Sequence, residues 1–332
     1  MKALVYLDNS LKSKADHIIR RLTSLGMEVL FPKEMSCDYD IALVIGDDKT
    51  VLRAYHELRI FERPVLGVNY ANSIGFLTDI TFKDLGWVAE RLFSEDYKLE
   101  KSELIRGLVD SEVELWAVNE ICIFPSKSAT LMKYGLWVNG EYIWRDMADG
   151  VIAATPIGST AYSMSAGGPL MLIGTKAFVV TPVNSMDLTR RPLVVPSDST
   201  VILNEIESSC DIEAIADGIL RCKVHKGIYL TGMGKYIKLI RLKRSSHVHD
   251  RLYKKVELAK ELIKMPPSAK LVLKVLEYEG PLTQKDIARR TLLPPRTVRY
   301  ALSLLLKKGL VIKTPNLRDA RQSMYYVSSQ LE

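Results

Sequence analysis

YDIALVIGDDKT, residues 39–50, decides how the first part of this chain is read. The apolar run 41–45 has the length and β-branched content of a strand buried on both faces. It stops at the polar group Gly46, Asp47, Asp48, Lys49 and Thr50. A helix follows whose apolar positions Val51, Leu52, Tyr55 and Leu58 recur at helical spacing. Strand, polar turn and helix in that order place Gly46 to Thr50 at the carboxyl end of a strand, where open α/β sheets bind their ligands. Upstream, residues 2–7 read as a strand, 12–25 as an amphipathic helix ending at Gly26, and 27–31 as a second strand, which makes a β-α-β unit.

Downstream the character changes. From about residue 98 to 240 the chain runs in short alternating segments such as EVELWAVNEICIF and KYIKLIRL, so this part is expected to be mainly β. Residues 248–264 read as a connecting helix, and Pro266-Pro267 marks a stop and a new start. A first helix is expected over 268–278, with Ser268 as N-cap and Leu271, Val272, Val275 and Leu276 on one face. Gly280-Pro281 closes it, and Thr283 opens a second, short helix. After LLPP comes a longer one with Val298, Leu302 and Leu305 inward and Gly309 at its end. Strands LVIKT and SMYYVSS, separated by PNLRDARQ, complete the module. The expected organisation is an α/β domain over 1–97, a mainly β domain over 98–247, a linker helix over 248–265 and an α+β module over 266–332.

Composition bounds the function. The chain has 332 residues, 47% of them hydrophobic, enough for two or three ordinary cores. No stretch approaches the roughly 18–20 apolar residues of a membrane span, and the opening has strand alternation without a signal peptide's basic start. A cytoplasmic protein without membrane contact is expected. Residues 1–240 carry 26 Lys and Arg against 31 Asp and Glu, whereas residues 241–332 carry 20 against 8. A basic module on a mildly acidic body points to a polyanionic partner, and nucleic acid is the commonest one. Cys37, Cys122, Cys210 and Cys222 lack the spacing of a zinc knuckle or redox pair, and Cys122 and Cys222 read as buried free thiols. No helical pair of histidines brackets a carboxylate, so no metal centre is expected.

Three short helices followed by a hairpin with a basic tip make the last module resemble a winged helix-turn-helix over 266–330. The resemblance implies DNA as partner. Arg296, Thr297, Arg299 and Tyr300, at the start of the third helix, would face base edges, and Arg318 and Arg321 would sit on the wing near phosphates.

A second resemblance covers about residues 1–255. ADGVIAATPIGSTAYSMSAGGP at 148–169 is rich in glycine and small hydroxyl residues, which lets backbone amides approach ribose and phosphate oxygens. It matches the pattern of NAD kinases. Other matches follow in the family's order: VNYANSIGFLTDI at 68–80, VNE at 118–120, LTRRPLVVP at 188–196 and ADG at 216–218. The resemblance implies NAD or NADP as ligand. Asn119 and Glu120 would hold the adenosine part and Phe76 would pack on a base. Asn69, Asp149, Thr155, Thr160, Ala161, Tyr162 and Ser165 would line the rest. A homodimer or homotetramer is implied as well.

The family's Gly-Gly-Asp-Gly-Thr reads Gly46-Asp47-Asp48-Lys49-Thr50 here. Asp48 keeps the place of the aspartate that helps deprotonate the ribose 2′-hydroxyl. Two of three glycines are lost, and Asp47 adds negative charge where phosphates lie. Lys49 can offset that charge, pair with Asp48, or receive the 2′-phosphate of NADP. Two functions follow. In one, the core is a receptor for NAD or NADP that governs a DNA-binding regulator. In the other, the protein is an active NAD kinase using Mg²⁺ and ATP or polyphosphate, with Asp48 as base and an appended DNA-binding or assembly module.

Overall fold

The computed structural model describes residues 1–32, 38–60, 62–70, 75–242, 265–279, 281–308, 310–315 and 323–327. The linker helix expected over 248–265 lies outside them except for Met265, as do Arg318, Arg321 and Gly309.

Strand Ile41–Gly46 is buried at every residue, as its unbroken apolar run requires. It pairs in parallel with Lys2–Leu7 on one side and Pro64–Asn69 on the other, and Glu28–Leu30 extends the sheet beyond Lys2–Leu7. Helices Ala15–Ser24 and Leu85–Phe93 cover one face through Ile18, Leu22, Leu85, Val88 and Leu92. Helix Asp48–Leu58 covers the other through Val51, Ala54, Tyr55 and Leu58. The sheet has seven strands because the free edge of Pro64–Asn69 is shared. Thr78–Thr81 pairs with its carboxyl half and Tyr236–Arg241 with its amino half, and Lys98–Glu103 runs antiparallel to the latter. Two strands from the stretch read as the second domain thus complete the first sheet. Their alternation is that of any half-covered edge strand and does not reveal which sheet they join.

Residues 105–231 form two six-stranded antiparallel sheets that share one core, with Ile105, Leu136, Leu203 and Leu230 on one inner face and Ile121, Val151, Ala153 and Phe178 on the other. Chain order crosses between the sheets at residues 118–119. Strand Val113–Ala117 lies in the first and Glu120–Pro125 in the second.

The last module has helices Pro267–Glu279, Gln284–Thr291 and Pro295–Lys307 around a core of Val272, Leu276, Ile287, Val298, Leu302 and Leu305. Strands Val311–Pro315 and Ser323–Val327 form the hairpin, and Leu282–Thr283 adds a third strand too short to leave a periodic signal. Two expectations for the first helix need correction. Pro267 already begins it, with the Pro266 carbonyl accepting from Ala269 N at 2.9 Å, so Ser268 lies inside the first turn. Leu271 is exposed, and the buried stripe runs through Ala269, Val272, Leu273 and Leu276. Cys122 is buried and Cys222 only half-buried, both as free thiols. No described helix is long and apolar enough to cross a membrane.

Candidate functional site

Gly46 ends its strand buried against the next turn, where an added Cβ would collide with the Thr50 side chain. The polar turn expected over Gly46 to Thr50 shrinks to Asp47 alone, because Asp47 caps the helix that starts at Asp48. Its Oδ1 accepts from Thr50 N at 2.7 Å, and Thr50 Oγ1 stands 2.7 Å from the same oxygen. Thr50 Oγ1 also lies 2.9 Å from Oδ2 of Asp8, at the end of the first strand, and Arg53 pairs with that oxygen at 2.8 Å. Burial alone would raise the Asp8 carboxyl. The donors Ser10 and Thr50 and the Arg53 charge hold it below the ordinary range. A helix amino terminus is a ready anion site, but here one of its free amides is taken by the chain's own carboxylate.

Asp48 faces the other way. Its Oδ2 accepts from Phe76 N at 2.6 Å, and its Oδ1 from Leu77 N, Thr78 N and Thr78 Oγ1 at 3.0, 3.0 and 2.9 Å. Burial raises its pKa above the ordinary carboxylate range against the pull of these donors. Asn69, buried at the end of its strand, donates to Thr78 Oγ1 at 3.4 Å, and Arg241 donates to the Phe76 carbonyl at 3.0 Å. Lys49 is exposed and forms no ion pair with Asp48 among the described residues, since that carboxylate is filled by residues 76–78.

Three of the other motif segments pack against this helix. Leu77, Val118 and Ile157 share a core with Val51 and Tyr55 of the helix that begins at Asp48. Residues 118–120 donate their amides to Asp217, and their turn is closed from the other side by Thr155. Its N–H donates to the Asn119 carbonyl at 2.8 Å and its Oγ1 to the Val118 carbonyl at 2.6 Å. Gly158 lies so close to the Asn119 carbonyl that any Cβ would strike it. Thr160 turns inward to the Ile157 carbonyl at 2.9 Å. Thr155 and Thr160, expected to line the ligand site, thus spend their hydroxyls on bonds within the protein. Asn119 Oδ1 is buried with no hydrogen-bond partner among the described residues, an acceptor that fits an exocyclic amino group. Glu120 is buried beside it.

Tyr162 is exposed and stacks on Phe124, with ring centroids 5.9 Å apart and planes 16° from parallel. Its phenol is pushed up by burial and by the neighbouring Cys122, Asp149 and Glu120. Asp149 accepts from Asn184 Nδ2 at 2.8 Å, and on the segment that carries Tyr162, Ala161 is half-buried and Ser165 exposed. Sequence reading missed Asp8, Arg53 and His56. The contacts that bring them to the site, Asp8 with Thr50, Arg53 with Asp8 and His56 with Asp217, span 42 to 161 residues, so no local pattern marks them.

In the last module Arg296, Arg299 and Tyr300 are exposed and Thr297 half-buried on the third helix, while Val298, Ala301, Leu302 and Leu305 face the core. A groove of about 510 Å³ opens beside the start of this helix, lined by Gln284, Lys285, Pro295, Lys313, Ser323 and Tyr325. Of its two lysines, Lys285 belongs to the second helix and Lys313 to the first strand of the hairpin, and both are exposed.

Residues 6–97 match the family model of the ATP-NAD kinase N-terminal domain, 118–236 that of the ATP-NAD kinase C-terminal domain, and 263–322 that of the MarR family. The NAD kinase of Methanopyrus kandleri is 36% identical over 186 residues, 56% of this chain and 67% of that protein. That of Lachnoclostridium phytofermentans is 31% identical over 230 residues, 66% of this chain and 79% of that protein. The fold is similar to that of a yeast NADH kinase complexed with NADH, at TM-score 0.67 and 21% identity over 77% of this chain and 87% of that one. It is also similar to that of an Archaeoglobus fulgidus NAD kinase in complex with ATP, at TM-score 0.63 and 22% identity over 77% of this chain and 99% of that one.

Proposed function

Because the chain belongs to the NAD kinase family and carries a MarR-family region at its carboxyl end, we propose that it is a regulator in which the kinase-type core binds NAD or NADP and the winged helix binds DNA. The observation that carries this reading is Asp47. Where the family pattern has glycine, its carboxylate occupies the helix terminus that a phosphate would use, with Asp8 directly behind it. Asp48 keeps the place of the base, but its carboxylate takes four hydrogen bonds in holding the turn at residues 76–78.

The remaining site suits a dinucleotide. Asn119 Oδ1 would accept from the adenine amino group, Glu120 would hold ribose hydroxyls, and Tyr162 backed by Phe124 would stack a base. Lys49 would take the 2′-phosphate, favouring NADP over NAD. On DNA, Arg296, Arg299 and Tyr300 would read bases while Lys285 and Lys313 contact phosphates, in a homodimer or homotetramer that spans two half-sites.

The alternative is an active kinase using Mg²⁺ and ATP or polyphosphate with Asp48 as base, and kinship with proteins named NAD kinase favours it. One preparation separates the two. NADP formation is measured with NAD, Mg²⁺ and either phosphate donor, and NAD and NADP binding is measured by calorimetry. Tight binding without turnover is expected, and catalytic NADP formation would replace the first reading with the second.

A further inference from the structure

The turn at residues 118–119 joins a strand of one sheet to a strand of the other, so its backbone amides lack ladder partners and need acceptors elsewhere. Asp217 supplies them. Its carboxylate accepts from Val118 N at 2.8 Å, Asn119 N at 2.7 Å and Glu120 N at 3.2 Å, and its own N–H donates to the Glu120 carbonyl at 3.0 Å. Asp217 holds a left-handed backbone, φ 52°, between strands Ile212–Ala216 and Leu220–Val224. Its side chain is 0% exposed.

A fourth bond reaches it from outside this unit. His56, in the last turn of helix Asp48–Leu58, places Nε2 2.8 Å from Asp217 Oδ2, with its own side chain 5% exposed. Three amides already satisfy much of the carboxylate, so the histidine is not needed merely to solvate it. What it adds is a tether. One buried hydrogen bond fixes the turn that carries Asn119 and Glu120 to the helix that begins at Asp48.

We infer that His56 is a positioning residue for the ligand: through Asp217 it sets where the Asn119 amide oxygen and the Glu120 carboxylate stand relative to the Asp47–Thr50 end of the same helix. The inference rests on reading this turn as part of the dinucleotide site. Its physical requirement is a donor at Nε2, which glutamine reproduces and leucine or phenylalanine does not.

The test uses the full chain with His56→Leu, His56→Phe and His56→Gln. NAD and NADP affinity is measured by calorimetry, and the backbone amide signals of residues 118–120 by NMR without ligand. Loss of the donor is expected to weaken the preferred dinucleotide about tenfold, the scale of one hydrogen bond to a charged group, and to shift the three amide signals. His56→Gln is expected to restore both. Asp217→Asn combined with His56→Leu is expected to cost less than the two single losses summed, because both act through one contact. The phenylalanine variant decides the matter if the leucine variant does not fold. Unchanged affinity without the donor, or a glutamine variant as weak as the apolar ones with all of them folded, overturns the inference. If the parent binds neither NAD nor NADP, the dinucleotide reading fails. The amide signals then decide, since unmoved signals in the apolar variants would remove the tether as well.

Discussion

Asp47 faces solvent and caps a helix, while Asp48 turns its carboxylate inward to three amides and a hydroxyl. Their replacement should therefore have unequal effects. Asp47→Ala removes one cap and is expected to cost about 1 kcal/mol in a urea titration. Asp48→Ala leaves several donors at residues 76–78 without their acceptor and is expected to cost about 3 kcal/mol. Equal losses would mean that the 76–78 turn does not depend on Asp48. Asp8 adds an acid dependence. Its carboxyl is held below the ordinary range when folded, so its contribution is present above the unfolded value of about 4 and lost as pH falls through the depressed one. The parent is expected to exceed Asp8→Asn in urea midpoint at neutral pH, and the gap to close on acidification.

At the scale of elements, the third helix of the last module was legible from spacing alone. Val298, Leu302 and Leu305 recur on one side, which leaves Arg296 and Arg299 on the other, and the structure adds Ala301 to the buried side. The first helix was less legible. It offers more apolar residues than one face can bury, and packing against the other helices selects Ala269 and Leu273 over Leu271. Arg296→Ala and Arg299→Ala are each expected to cost about 1–3 kcal/mol in specific DNA binding at fixed salt, with dinucleotide affinity unchanged. Undiminished binding in both variants would move the DNA contact elsewhere on the module.

For the whole molecule, the proposed regulator requires energetic coupling between the core and the last module. Saturating NADP is expected to change DNA affinity by about 5- to 150-fold, read by fluorescence anisotropy at one ionic strength, and DNA must change NADP affinity by the same factor. No change in either direction would mean that the two modules bind independently.

The order of motifs from Gly46 to Gly218, the buried strand at 41–45, the basic last quarter and the helical stripe of the third helix were all readable without coordinates. The motif order was carried by the resemblance to NAD kinases and the basic quarter by composition, whereas the strand and the stripe are local spacings that register what one element must bury or expose. Tertiary structure alone decided that Lys98–Glu103 and Tyr236–Arg241 close the first sheet, that Asp48 serves the turn at 76–78, and that Asp8 and Arg53 gather at Thr50 and His56 at Asp217. Those outcomes depend on hydrogen bonds between residues up to 161 positions apart. A carboxylate's partner is set by which backbone donors the fold brings to it, and no pattern along the chain records that geometry.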